Sequence, residues 1–265
     1  MQRRTSFQDR TLALALVASV FSLCLSTGCS LRKQSGLVTP GVLVSPYDTS
    51  GGDVLWAVVP PANETGTAVV DPLRVGDQIV AAVSEIRGMQ AIPMNRTILA
   101  MRSAEITRVS NPAEARDLAR MLGADGVVVP SVTAYDPYDP PVMGLTLALF
   151  DRPGFLEPKA DLLDNPRLFA IQATDATLTE LTGFEGQPAA VASRHLDARN
   201  HEVLLRIGRY ADGRTQPGRA LGTRVHLQDM QLYEKFTAHT VVGDLLDQEW
   251  LRAARFARSV ASARE

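Results

Sequence analysis

The sequence has few cysteines and almost no excess of charge, and each shortage excludes a class of protein. Only Cys24 and Cys29 occur among the 265 residues, which excludes a small fold held together by several disulfide bridges. The formal net charge is -2, so no broad basic field indicates a nucleic acid as partner. The fold must therefore depend on an ordinary packed core, for which the chain is long enough.

Common enzyme and metal motifs are also missing. The chain contains no G-x-S-x-G, no G-x-x-x-x-G-K-[ST], no G-x-G-x-x-G and no H-E-x-x-H. His195 and His201 stand close to the carboxylates Asp197 and Glu202, and we interpret both pairs as parts of solvated helix faces. We therefore predict no catalytic residue, no metal site and no cofactor.

What the sequence does have, at its N-terminus, is the layout of an export signal. Arg3, Arg4 and Arg10 precede an uncharged, apolar run from Leu12 to Leu25, and such a layout is typical of secretory signals. The run is short for a membrane span, which needs about 20 apolar residues. We predict a signal peptide over residues 1–28.

The end of this segment resembles a bacterial lipoprotein signal peptide. Small residues lead into Cys29, although Ser26 stands where that family usually has Leu. The resemblance implies that Cys29 becomes the lipidated first residue of the mature chain and anchors it in the bilayer. Ser30 follows in place of Asp, which by the same resemblance favours the outer membrane, facing the periplasm. An ordinary secreted protein and an uncleaved anchor are the alternatives.

Residues 29–53 are rich in Gly, Ser, Thr and Pro, a composition typical of a flexible tether. The alternative is a segment packed on the following domain, because apolar residues occur at Leu37, Val38 and 42–44.

From residue 54 the pattern alternates between strands and helices. We expect a strand over 54–60, a helix from its N-cap Asp71 to Gly88, a strand over 90–93, a helix over 95–104, a helix capped by Asn111 and ended by Gly123, and strands over 126–133 and 143–150. This order predicts an α/β (α+β) fold, a small mixed β-sheet with helices packed on it.

Two stretches carry a family resemblance. "LWAVVPPANETG" and "ARDLARMLGADGVVVPSVTAYDPYDPPVMGLTLALFD" resemble the domain shared by the CsgG-like, LpoB-like and TolB-N-terminal-like group of envelope lipoproteins. The match covers residues 54–151 and brings no catalytic motif with it. It implies a non-enzymatic adaptor, assembly factor or secretion component.

Beyond residue 151 the resemblance fades. We expect an insertion over 155–165, a weak strand within 168–182, a helix over 189–211, and one or two helices over 228–258 with a break at Gly243. The α/β domain is thus placed at 54–185, and a helical C-terminal extension at 186–265.

Two surface features are candidates for contact. Tyr135 and Tyr138, beside Pro140 and Pro141, would suit an aromatic patch for a protein partner, with packing of the turn as the alternative. Arg252, with residues 255 and 258, forms either a basic stripe or a solvated helix face.

These observations favour a protein that is held on the bilayer through Cys29 and binds another envelope protein, with a homo-oligomer left open. The alternative is an envelope hydrolase or cell-wall-binding protein with an unrecognised site. That alternative requires a concave pocket with converging carboxylates or histidines.

Overall fold

A computed structural model describes residues 40–152, 187–215 and 221–262 of the chain, with side chains described as far as residue 255. The predicted signal peptide, Cys29, the first part of the tether, the insertion expected over 155–165 and the weak strand expected within 168–182 lie outside these ranges.

The centre of the fold is a mixed six-stranded sheet. Its strands are β1 (Val54–Val58), β2 (Ala62–Asn63), β3 (Met89–Ile92), β4 (Gly126–Asp136), β5 (Val142–Asp151) and β6 (Ala190–Asp197). The order is β3-β1-β4-β5-β6, and β2 also pairs with β4. β1 is parallel to β3 and β4, whereas β4, β5 and β6 are antiparallel in succession.

Helices cover both faces of the parallel part of the sheet. They are α1 (Pro72–Ser84), α2 (Met94–Ser103), α3 (Pro112–Leu122), α4 (His201–Ala211), α5 (Val225–Gln228) and α6 (Met230–Ser262). Side chains alternate along β1, so Trp56 and Val58 face the core formed with α1, α4 and α6. Ala57, one position away, faces the smaller core formed with α2 and α3. The predicted fold class, a mixed sheet with packed helices and a helical C-terminal region, is confirmed.

Asp71, Asn111 and Gly123 are found at helix ends as predicted, whereas α1 ends at Ser84, four residues before the predicted Gly88. The Asp71 side chain accepts hydrogen bonds from the backbone N–H groups of Leu73 and Arg74 at the start of α1. Asn111 accepts the N–H of Glu114 at 2.9 Å in α3. Gly123 ends α3 with φ at 68°, a left-handed conformation that glycine adopts without strain.

The helix expected over 189–211 is wrong in its first half, where β6 lies. Ala190, Ala192 and Leu196 are buried while Val191 and Ser193 between them are exposed, the two-residue period of a half-buried strand. β6 completes the sheet by pairing with β5, and only the second half of the stretch, α4, is helical.

The break expected at Gly243 is also wrong, because α6 runs through this residue without interruption. The helices separate at Asp229, whose backbone is extended. Its Oδ1 accepts the N–H of Gln231 at 2.9 Å, so Asp229 caps the long helix.

Part of the expected tether packs on the domain. Val44 forms a parallel bridge with Arg87, and Tyr47 is fully buried against Trp56. For residues 44–47 the packed alternative therefore applies. Among the helices in the described ranges, none combines the length and the apolar character that a membrane crossing needs.

Candidate functional site

The β4–β5 hairpin, which carries both predicted tyrosines, is bonded to two helices next to its turn. The Tyr135 hydroxyl donates to Glu234 Oε1 at 2.7 Å. Arg74 of α1 donates to the same carboxylate through Nε at 2.9 Å and Nη2 at 2.8 Å. We call these three residues the Arg74–Tyr135–Glu234 cluster. It joins α1, the end of β4 and α6, and the Glu234 side chain is fully buried.

Burial and hydrogen bonding keep Tyr135 and Arg74 in fixed protonation states. Burial, and then the hydrogen bond to Glu234, raises the pKa of Tyr135. The hydrogen bond to Glu234 raises the pKa of Arg74. The phenol therefore stays protonated and the guanidinium charged, so the buried carboxylate is fully compensated. The cluster therefore holds α1, β4 and α6 together, and the Tyr135 hydroxyl is used in this internal hydrogen bond.

Tyr138 lies beyond this cluster with 79% of its surface exposed. Its N–H donates to Asp136 Oδ1 at 3.1 Å, which fixes the turn next to the strand end. Leu73, in the first turn of α1, is 51% exposed, and Val69, four residues earlier in the chain, is 62% exposed. We call Val69, Leu73 and Tyr138 the hairpin-end surface.

The start of α1 and the end of β4 lie at the same end of the fold. Arg74 Nη2 is 3.2 Å from the Tyr135 hydroxyl, so the first turn of α1 and the end of β4 meet at this contact. Exposed apolar side chains on rigid elements suit contact with another protein.

Three carboxylates, those of Glu105, Glu114 and Asp117, line one cleft of the described part of the chain, and no histidine lies among its lining residues. His195 is exposed on β6, a strand and not the expected helix, and His201 is exposed at the start of α4. Within the described ranges, no group of three or more His, Cys, Asp or Glu side chains is placed to hold a metal ion.

A second buried carboxylate explains one arginine of the predicted basic stripe. Glu249 is fully buried and accepts from the Tyr47 hydroxyl at 2.7 Å and from Arg252 Nη2 at 2.7 Å. Arg252 therefore serves an internal ion pair and is not free to form a surface stripe. The side chain of residue 258 lies outside the described part of the chain.

Glu234 and Glu249 were missed by the motif search because they belong to no motif. One signal was present in the sequence. Each lies four residues after an apolar core residue of α6, Met230 and Leu245 respectively, so each occupies the buried face of its helix. A charged residue at such a position indicates a buried ion pair.

No protein-family model and no curated protein sequence matches the chain. Among solved structures, it is similar to lipoprotein GNA1162 from Neisseria meningitidis, with 21% identity over 38% of this chain and 72% of that one, at a TM-score of 0.32. The C-terminal domain of LpoB from Salmonella enterica is 16% identical over 42% of this chain and 77% of that one, at a TM-score of 0.30.

A hypothetical protein from Chlamydia trachomatis, CT253, is 12% identical over 74% of this chain and 98% of that one, at a TM-score of 0.33. Bacterial lipoproteins are thus among the structures that show a likeness. The resemblance to the CsgG-like and TolB-N-terminal-like domains stays a prediction.

Proposed function

We propose that this protein is a bacterial envelope lipoprotein that acts without catalysis, as an adaptor, assembly or secretion accessory subunit. The observation that carries the proposal is the export-signal layout that ends in small residues and Cys29. Lipid on Cys29 would fix the protein on the bilayer. One acyl chain binds a membrane only marginally, whereas two or more give stable anchoring, and the lipoprotein resemblance implies three.

The folded domain would then work by contact. The charged groups that the fold buries, Glu234 and Glu249, are used to join elements, which is a structural task. The hairpin-end surface offers exposed apolar side chains, which supports protein binding at this end. Ser30 next to Cys29 favours the outer membrane and a periplasm-facing domain.

Intact mass spectrometry of the mature protein from the membrane fraction tests the anchor. We expect a chain that begins at Cys29 and carries a diacylglycerol and a further acyl group. The Cys29→Ala variant should leave the membrane fraction or stay unprocessed, while its circular dichroism matches that of the wild type. A Cys29→Ala chain that is cleaved normally and still sediments with membranes would show that the anchor lies elsewhere.

A further inference from the structure

A cleft of about 310 Å³ opens between α4, α6 and the segment that precedes β1. Its lining includes Leu43, Arg206, Arg209, Tyr210, Arg214 and His239. We call it the cationic cleft. It shares no residue with the hairpin-end surface or with the Arg74–Tyr135–Glu234 cluster.

The cleft has more positively charged side chains than carboxylates that pair with them. Arg206 pairs with Glu202 at 2.8 Å, and Arg214 pairs with Glu85 at 3.1 Å. Arg209 has no ion-pair partner among the described residues, and its side chain is exposed. Lys235 also pairs with Glu85, at 3.6 Å, so four cationic groups share two carboxylates, and the Arg209 guanidinium is available to bind an anion from solution.

Arg214 is held in a fixed orientation. Its Nη2 lies 3.2 Å from His239 Nε2, and its guanidinium carbon lies 4.6 Å from the centre of the Tyr210 ring. A guanidinium can only donate, so His239 accepts through Nε2 and its imidazole is neutral. Burial, together with the Arg214 charge, lowers the pKa of His239 to about 4, in agreement with this assignment. A charged group fixed in advance loses little entropy on binding an anion.

One wall of the cleft is apolar. Leu43 and Phe236 line it, and Val42 at its rim is 52% exposed. On α4, the exposed Leu205 lies four residues before Arg209, and residues at this spacing share one face of a helix. Cationic and apolar groups thus stand side by side, which suits a ligand with an anionic head and an apolar body.

We propose that the cationic cleft binds the phosphate group of an anionic amphiphile, such as the headgroup of a phosphatidic-acid-like lipid. Guanidinium groups match phosphate oxygens in geometry and charge, and the volume suits a small headgroup. At about 3.5 Å per residue, the chain between Cys29 and Pro40 reaches about 40 Å at most, so an anchored domain would stay close to lipid. The site does not depend on the identity of a protein partner.

Nuclear magnetic resonance of the arginine Nε–H groups tests the site in the full chain, held in micelles of a neutral detergent. The probes are dioctanoyl phosphatidic acid, dioctanoyl phosphatidylcholine and inorganic phosphate. We expect phosphatidic acid to shift the Arg209 and Arg214 signals saturably, and phosphatidylcholine to leave them in place. Arg209→Gln should weaken the binding about tenfold, the effect of one charge-assisted hydrogen bond at the surface.

Arg120→Gln is the matched control, since Arg120 is an exposed arginine of α3 on the other face of the sheet. It should bind phosphatidic acid like the wild type. Leu43→Ser distinguishes the sources of phosphate. If it weakens phosphatidic acid but not inorganic phosphate, the ligand is a lipid, and if the two probes bind equally in every variant, the ligand is free phosphate. Equal affinities in Arg209→Gln and Arg120→Gln, or no saturable shift with either phosphate probe, would overturn the proposal.

Discussion

At the scale of single residues, the fold depends on two charged groups that it buries completely. Glu234 and Glu249 both belong to α6, and each is bound by one arginine and one tyrosine hydroxyl. A buried ion pair adds little net stability compared with apolar packing, but removing one partner leaves an uncompensated charge. The two carboxylates therefore determine how α6 fits against the sheet more than how stable the molecule is.

Arg74→Met should lower the free energy of unfolding by about 2 kcal/mol, because it leaves the Glu234 carboxylate buried without its counter-charge. This loss of unfolding free energy is smaller than the loss expected for a fully buried ion pair, because the Arg74 side chain is about one-third exposed. The double variant Arg74→Met, Glu234→Met removes both charges and should recover most of this loss. Urea unfolding followed by circular dichroism measures all three proteins.

Arg120→Met provides the comparison, since Arg120 and Asp117 form an ion pair whose side chains are both mostly exposed. Its cost should stay below about 0.5 kcal/mol. If the double variant is as unstable as Arg74→Met alone, the lost stability comes from packing, and the electrostatic account of the cluster is wrong.

The inward position of Tyr135 could not be predicted from the sequence. In a regular strand, Tyr135 would face away from Val128 and Val132, which lie on the large core. The pairing of β4 with β5 shifts its register between Val132 and Ala134, and the extra residue reverses the facing of the strand beyond it. Tyr135 thus joins the large core. Neither this reversal nor the contact with Glu234, 99 residues away, can be obtained from local periodicity.

At the scale of elements, helices were predicted well where the capping residues and the spacing of the apolar residues indicate the same bounds. For α3, Asn111, Pro112 and Gly123 fix both ends, as the residues predict. The helix predicted over 189–211 was wrong in its first half. Alanines and long polar side chains favour a helix locally, but pairing with β5 determines the structure of residues 190–197. Non-local pairing overrides such weak preferences.

The bulge in β4 depends on Gly144 in the opposite strand. A Cβ on Gly144 would lie 2.9 Å from the backbone nitrogen of Ala134 and would clash with the Thr133 side chain. Gly144→Ala should therefore lower the free energy of unfolding by about 1 to 3 kcal/mol, because backbone must move. It should also weaken the bond between Tyr135 and Glu234, which exchange of the Tyr135 amide with deuterium would detect as reduced protection.

Gly208→Ala is the control for this prediction. Gly208 lies within α4, and a Cβ there would meet nothing within 4 Å. Alanine should raise the free energy of unfolding by about 0.5 to 1 kcal/mol, since it favours the helix more than glycine does. Opposite signs for the two substitutions would support a steric need for Gly144, and equal signs would contradict it.

At the scale of the whole molecule, sequence and structure inform different parts of the proposed function. The proposed location in the cell envelope depends on lipidation of Cys29, which is a prediction from the order and composition of the residues. The two surfaces are formed by residues that lie far apart in the sequence. The hairpin-end surface combines residues at and just before the start of α1 with Tyr138, which follows β4. The cationic cleft lies between α4, α6 and residues 41–43. No local pattern marks such surfaces, and the two predicted tyrosines illustrate this, since one is committed to the interior and the other is exposed.

If the hairpin-end surface binds an envelope protein, a photo-crosslinking amino acid at Tyr138 should capture that protein in intact cells. Leu73→Ser should reduce the yield several-fold, because an apolar contact at the centre of an interface contributes on the order of 1 kcal/mol or more. Leu99→Ser is the matched control, since Leu99 is an exposed leucine on α2, at 65% against 51% for Leu73. Adducts formed only between copies of this chain would identify the surface as a homo-oligomer contact. A yield that Leu73→Ser leaves unchanged would place the partner surface elsewhere, even if Cys29 proves to be lipidated.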